Sequence, residues 1–156
     1  MELHDSIIDR LNTQYLALPK IIKEVSEKML DREPEPGKWS IRQNLAHITG
    51  YHHILLERLN KILKEDNPYF SRYDVEQDPE FKKWDSFSAK ALLKHLRDNR
   101  ETMNAFLFNL TAEELVKKGT HEKFGTMNVV QWIEFFLLHE AHHIYTIFKI
   151  SRQFNT

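Results

Sequence analysis

No cysteine occurs among the 156 residues. This excludes a disulfide framework, a thiolate nucleophile and thiolate metal ligands. Glycine and proline are scarce, four and five respectively, and they gather between periodic stretches, a pattern that favours helices over strands. Neither sign of charge dominates: 22 Lys and Arg against 23 Asp and Glu leave a formal net charge of −1, without the basic excess of a nucleic-acid-binding surface. No run of about 18 apolar residues is present, so no membrane span is expected. The opening stretch, MELHDSIIDRLNTQYLALPK, mixes charges with apolar side chains and lacks the apolar heart of a signal peptide. These exclusions point to a cytoplasmic globular protein with one domain over residues 1–156, and 41% hydrophobic content is enough for a substantial core.

What is present is helical periodicity. Residues 3–30 read as a first helix with Ile7, Leu11, Leu18, Ile21, Ile22 and Val25 facing inward and a kink or split at Pro19. DREPEPGK, residues 31–38, is a loop by composition. Ser40 with Gln43 forms a capping box for a second helix, which runs on Ile41, Leu45, Ile48, Leu55 and Leu59 to about Glu65. A polar and aromatic connection without clear periodicity follows over residues 66–87. A connection of this length often covers a site opening. A third helix spans about 88–109. Thr111 with Glu114 caps a short turn, residues 119–126 form a partly extended connector, and Asn128 with Gln131 caps a last helix to Ile150. No repeat or low-complexity tract is seen. The expected fold is all-α, an antiparallel four-helix bundle with at least one longer crossover connection.

The last helix carries the chemistry. Its apolar positions Val129, Trp132, Ile133, Phe136, Ile147 and Ile150 form a stripe, and His139 and His143 fall inside it one turn apart, while His142 points off it. Burying two imidazoles is costly without partners, and a metal ion can bind both neutral rings at once. Spacing alone is equally served by two half-buried histidines bonded to carbonyls or carboxylates. The letters HEAHH also satisfy H-E-x-x-H, in which the glutamate is the general base of a metalloprotease. After His143, however, the tail IYTIFKISRQFNT offers no His, Asp, Glu or Cys as a third ligand. A protease reading is therefore rejected, although Glu140 stays a candidate neighbour of a bound ion. A third ligand must come from upstream. On a helical wheel of the second helix, His52 sits near the centre of the apolar stripe and His47 toward its flank; periodicity favours His52, and a helix–helix seam would admit His47. His4, His95 and His121 sit in polar surroundings and read as solvated surface residues.

Three motifs in order complete the pattern: GKWSIRQNLAHI at 37–48, GTMNVVQWI at 125–133 and LLHEAHHIYTI at 137–147. Together they resemble the DinB/YfiT-like superfamily over about two-thirds of the chain. The resemblance implies a four-helix bundle with a divalent metal on three histidines, often in a homodimer. Carried over position by position, the metal ligands are His47, His139 and His143, in place of His52. It further implies a small-molecule substrate and an enzyme that activates water or a low-molecular-weight thiol such as bacillithiol or mycothiol, for hydrolysis or transfer. The missing cysteine fits an external thiol. Where the family commonly has a small residue and a glutamine after the second histidine, this chain has Tyr145 and Thr146, a departure that leaves the metal set intact and removes the family's guide to the pocket's polar lining and substrate class. Zinc, nickel and iron all accept imidazole. The competing expectations are a bundle whose metal only staples helices, and a metal-free module for small ligands or stress responses. Imidazole ligation also predicts loss of metal below about pH 6.5, the ordinary histidine pKa.

Overall fold

The computed structural model describes residues 2–154. The first bundle position is filled by α1 (Asp5–Thr13), a 3₁₀ turn (Gln14–Ala17) and α2 (Leu18–Ile21) rather than one helix to residue 30. The cause is local. In a continuous α-helix the Pro19 ring would meet the carbonyl four residues earlier; the tighter turn lets Pro19 occupy the start of α2, where its missing N–H costs nothing. A separate turn, α3 (Glu27–Leu30), precedes the expected loop. The second position is α4 (Ile41–Lys64), started by the Ser40–Gln43 capping box with both reciprocal hydrogen bonds present. The third is α6 (Ala89–Leu107) and the fourth is α8 (Val129–Phe154).

The connection over residues 66–87 is more structured than its polarity predicts. It holds β1 (Tyr69–Phe70), a 3₁₀ turn (Val75–Gln77) and α5 (Pro79–Asp85), whose N-cap Asp78 accepts the Glu80 N–H. After α6 come α7 (Ala112–Leu115), with its expected capping box, and a hairpin of β2 (Lys118–His121) and β3 (Gly125–Asn128). β2 pairs antiparallel with β3 and parallel with β1. Gly125 adopts φ +73° at the turn, a conformation that side chains disfavour. Gly119 lets the hairpin lie against α4, since a Cβ there would sit 2.7 Å from Ile62 and 2.9 Å from Phe70.

The core has two apolar halves. Ile7, Leu11, Leu55, Leu59, Met103, Leu107, Trp132 and Phe136 build one; Leu18, Leu45, Ile48, Leu92, Leu96, Ile147 and Ile150 build the other. The order in which each helix visits them fixes the topology. α1–α2 and α8 run from the first half to the second, whereas α4 and α6 both run from the second to the first. Two helices therefore run each way, and the long crossover exists because α4 and α6 are parallel and must be joined from one end of the bundle to the other.

Between the halves lies a buried polar layer. Arg100 (0% exposed) and Glu140 (1% exposed) form an ion pair. Arg100 also donates to the Leu11 carbonyl and to His52 Nε2, and Gln14 donates to Glu140 at 2.8 Å. The Arg100 guanidinium lies over the Tyr15 and Phe136 rings. These contacts offset the cost of taking two charges out of water.

Candidate metal centre

The three histidines of the site come from facing turns of α4 and α8, helices that pack directly on one another. His139 and His143 project from α8 one turn apart, and His47 meets them from α4. One ring nitrogen of each lies within 4.8 Å of the other two, and the Nε2 atoms of His47 and His139 are 3.0 Å apart. Tetrahedral zinc, with bonds of about 2.0–2.1 Å, separates its ligand nitrogens by about 3.3 Å. The donor set therefore suits a divalent ion with only side-chain adjustment.

Asn44, one turn before His47, decides the state of His143. The Asn44 amide nitrogen donates to the Ser40 carbonyl at 2.8 Å and the Trp39 carbonyl at 3.4 Å, so its oxygen is the acceptor for His143 Nδ1 at 2.8 Å. His143 thus carries its proton on Nδ1 and keeps the Nε2 lone pair free, the arrangement typical of a metal-ligating histidine and its supporting partner. His47 Nδ1 is buried with no hydrogen-bond partner, and its other nitrogen is the one turned to His139. Burial lowers all three rings from the usual 6.5: His47 to about 4, His143 to about 3 and His139 to about 2, the last two also held down by their histidine neighbours. All three are neutral at physiological pH, as ligation requires. Proton competition for the folded site therefore begins near pH 4, well below the 6.5 expected from an ordinary histidine.

The other histidines separate cleanly. His52 is buried, but its Nδ1 is bonded to the Ile48 carbonyl at 2.9 Å and its Nε2 accepts from Arg100 at 3.1 Å, so neither nitrogen is free. The wheel selects it because it faces the centre of the bundle; the cluster forms instead at the α4–α8 seam, which a single-helix wheel does not contain. His142 is exposed and outside the cluster. His121 is not a surface residue: strand alternation turns Gly119 and His121 inward, leaving the ring 4% exposed. His95 is half-buried, with its ring 5.0 Å from Phe87 and 5.4 Å from Trp84, whereas His4 is exposed and caps α1. Glu140, adjacent to His139, is turned about 100° around the helix into the Arg100 layer, so it is not positioned beside the histidines as a metalloprotease base.

The three rings open onto a cavity of about 310 Å³. Trp39 closes one side, stacked on Phe81 at 5.3 Å and 5.1 Å from the His47 ring. Tyr51 lies over His139 at 4.1 Å. Tyr73 comes from the long connection, with its ring 5.8 Å from His47 and its hydroxyl donating to Asp78 at 2.5 Å. That connection does cover the site. Burial raises the pKa of Tyr51, and burial together with Asp78 raises that of Tyr73, so both phenols stay protonated. Asn44, Tyr51, Tyr73 and His121 went unmarked as site residues in the sequence; the Asn-x-x-His spacing of Asn44 and His47 is the one signal that could have shown a helical partner.

The model of the DinB superfamily matches residues 10–147. The chain belongs to the DinB superfamily. A protein of Bacillus cereus (strain 03BB102) described as "Putative metal-dependent hydrolase" is 26% identical over 159 residues, covering 99% of this chain and 88% of its own. A counterpart in Bacillus thuringiensis subsp. konkukian (strain 97-27) carries the same description and the same figures. Among solved structures, YfiT from Bacillus subtilis, titled "a probable metal-dependent hydrolase with an unusual four-helix bundle topology", superposes with a TM-score of 0.77 at 22% identity. It covers 96% of this chain and 86% of its own. TT2238, a four-helix bundle protein, gives 0.61 at 18% identity over 91% and 95%. At these identities the structures establish the four-helix bundle fold.

Proposed function

We propose that this DinB-superfamily chain is a metal-dependent hydrolase of small molecules, with His47, His139 and His143 holding one divalent ion. The observation that carries the reading is the convergence of three neutral imidazoles from two helices, one with its tautomer fixed by Asn44, at the mouth of an aromatic cavity. Three protein ligands leave an ion with open coordination positions, where it would acidify water, or a thiol, to a nucleophile at neutral pH. The relatives described as metal-dependent hydrolases support the water chemistry.

The chain's own residues supply the rest. Trp39, Tyr51 and Tyr73 exclude bulk water from the cavity walls. The protonated Tyr51 hydroxyl is a hydrogen-bond donor for an oxygen of bound substrate, and Asn44 holds the His143 ring in one orientation. Any thiol nucleophile comes from outside, because the chain has no cysteine. The test is a panel of ester and amide substrates, run with and without an added low-molecular-weight thiol. Turnover by zinc-loaded protein that vanishes in chelator and in His139→Ala supports the proposal, and the product shows whether water or thiol attacked. Turnover that survives in His139→Ala contradicts it.

The proposal extends to a homodimer. Leu138, Tyr145 and Phe148 are exposed on one face of α8, and such apolar faces mark association surfaces. Sedimentation velocity should give a dimer for the native chain and a monomer for Leu138→Glu with Tyr145→Glu; a native monomer refutes it.

A further inference from the structure

The cavity beside the histidines has a charge pattern of its own. No carboxylate lines it, although Asp and Glu outnumber Lys and Arg in the chain. Two cations do line it: Arg72 from the long connection and Lys123 from the β2–β3 turn. Neither makes an ion pair among the described residues. Glu122 accepts the Arg72 backbone N–H at 2.7 Å but does not line the cavity.

A third cation lies close behind. Arg58 is 8% exposed, donates to the Ser71 carbonyl at 3.1 Å, and has a buried Nη1 without a partner. No carboxylate pairs with it; the Tyr51 hydroxyl lies beside it and the Phe70 and Trp132 rings flank it. A cation buried without a counter-charge is costly. Its field favours negative charge nearby, and it is felt at Tyr51, His121 and His139.

His121 adds a directional donor. Its Nδ1 accepts the Lys123 backbone N–H at 3.0 Å, which places the proton of the neutral ring on Nε2. That nitrogen has no partner among the described residues, and the ring lines the cavity. Phe124 and Phe135, 4.8 Å apart, supply an apolar wall beside these polar groups. Three neutral imidazoles, finally, cancel none of the charge of a divalent ion, so nothing in the ligand set opposes an anion.

We propose that this cavity selects substrates bearing an oxyanion, a carboxylate or phosphate, on an apolar or single-ring body. The oxyanion is held by Arg72 and Lys123, with the His121 Nε2–H as the directional contact. The inference rests on the hydrolase reading for the reaction, but the binding preference belongs to these side chains alone.

Calorimetric titration of the full chain with benzoate, with phenyl phosphate and with the neutral isostere benzamide tests it, in zinc-loaded and in chelator-treated protein. Either anion should bind about tenfold or more tightly than benzamide in both forms, as charge-assisted contacts give. Comparing the two anions shows which oxyanion the site prefers. Arg72→Met with Lys123→Met, two exposed positions, should abolish the preference while zinc content and melting temperature stay unchanged. Four results would overturn the proposal: no binding of any probe, equal affinity for benzamide, a preference that survives the double variant, or a preference seen only with zinc. Failure of metal binding itself would appear separately, as zinc absent from the native chain.

Discussion

Replacing Glu140 with alanine separates the bundle's polar layer from its metal centre. The substitution strips the carboxylate from Arg100, a guanidinium with no solvent exposure. It leaves that cation only the Leu11 carbonyl, His52 Nε2 and two aromatic faces. Breaking a buried pair by removing one partner costs roughly 3–5 kcal/mol. For a chain of this length each kcal/mol moves the melting temperature by about 2–4 °C, so a fall of roughly 6–20 °C is expected. Differential scanning calorimetry of metal-free protein reads it directly. Glu134→Ala is the control, because the Arg10–Glu134 pair is 38% and 43% exposed and such pairs contribute at most about 1 kcal/mol. Below its melting temperature the Glu140→Ala protein should keep native metal content and turnover. Were Glu140 the general base of an H-E-x-x-H site, turnover would instead drop by about 10²–10⁴. A melting shift under 2 °C, or loss of metal from the folded variant, refutes the assignment of Glu140 to the Arg100 layer.

Asn44→Leu removes the acceptor that fixes His143 and should weaken zinc about 10–100-fold, measured by competition with a chromophoric chelator; a dissociation constant within twofold of native contradicts it. The pH dependence has two separate windows. His47, His139 and His143 are depressed in the folded state to about 4, 2 and 3, and His52 to about 3, against about 6.5 unfolded. Between pH 6.5 and about 4 the unfolded chain binds more protons than the folded one, so metal-free stability falls as pH drops through that range. Folded protein, by contrast, should hold zinc until near pH 4. Denaturant titrations and zinc occupancy at matched pH values check both, and coincident curves beginning at 6.5 would contradict the buried-ring account.

Much of this was legible because 3.6-residue periodicity and capping are local. The stripe from Val129 to Ile150 is buried as read, and all three capping boxes have both their hydrogen bonds. The first helix splits at Pro19 as its sequence predicts, for the local reason that the ring needs a tighter preceding turn, but it ends at Ile21 instead of running to residue 30. Other differences have tertiary causes. The hairpin over residues 118–128 rests on pairing with Tyr69 and Phe70, some fifty residues away in sequence, which no local window contains. α5 did carry a signal, Asp78 followed by Pro79 and Glu80, since an N-cap aspartate before an N1 proline marks a helix start. His121 reads as solvated because its sequence neighbours are polar, yet strand alternation turns it inward. At the site, His139 and His143 follow from the last helix alone, whereas the choice of His47 over His52 depends on which neighbour each face meets. The Ile48 carbonyl takes His52 Nδ1 and Arg100 of α6 takes Nε2, and no reading of α4 by itself shows the second contact.

The most direct test of the central claim is elemental analysis of untagged protein purified without chelator, native beside single alanine variants. The account predicts one divalent ion per chain in the native protein and in His142→Ala, and none in His47→Ala, His139→Ala or His143→Ala at unchanged fold. A native chain that takes up no zinc, nickel or iron on equilibrium dialysis, or equal metal content in all five proteins, would contradict it.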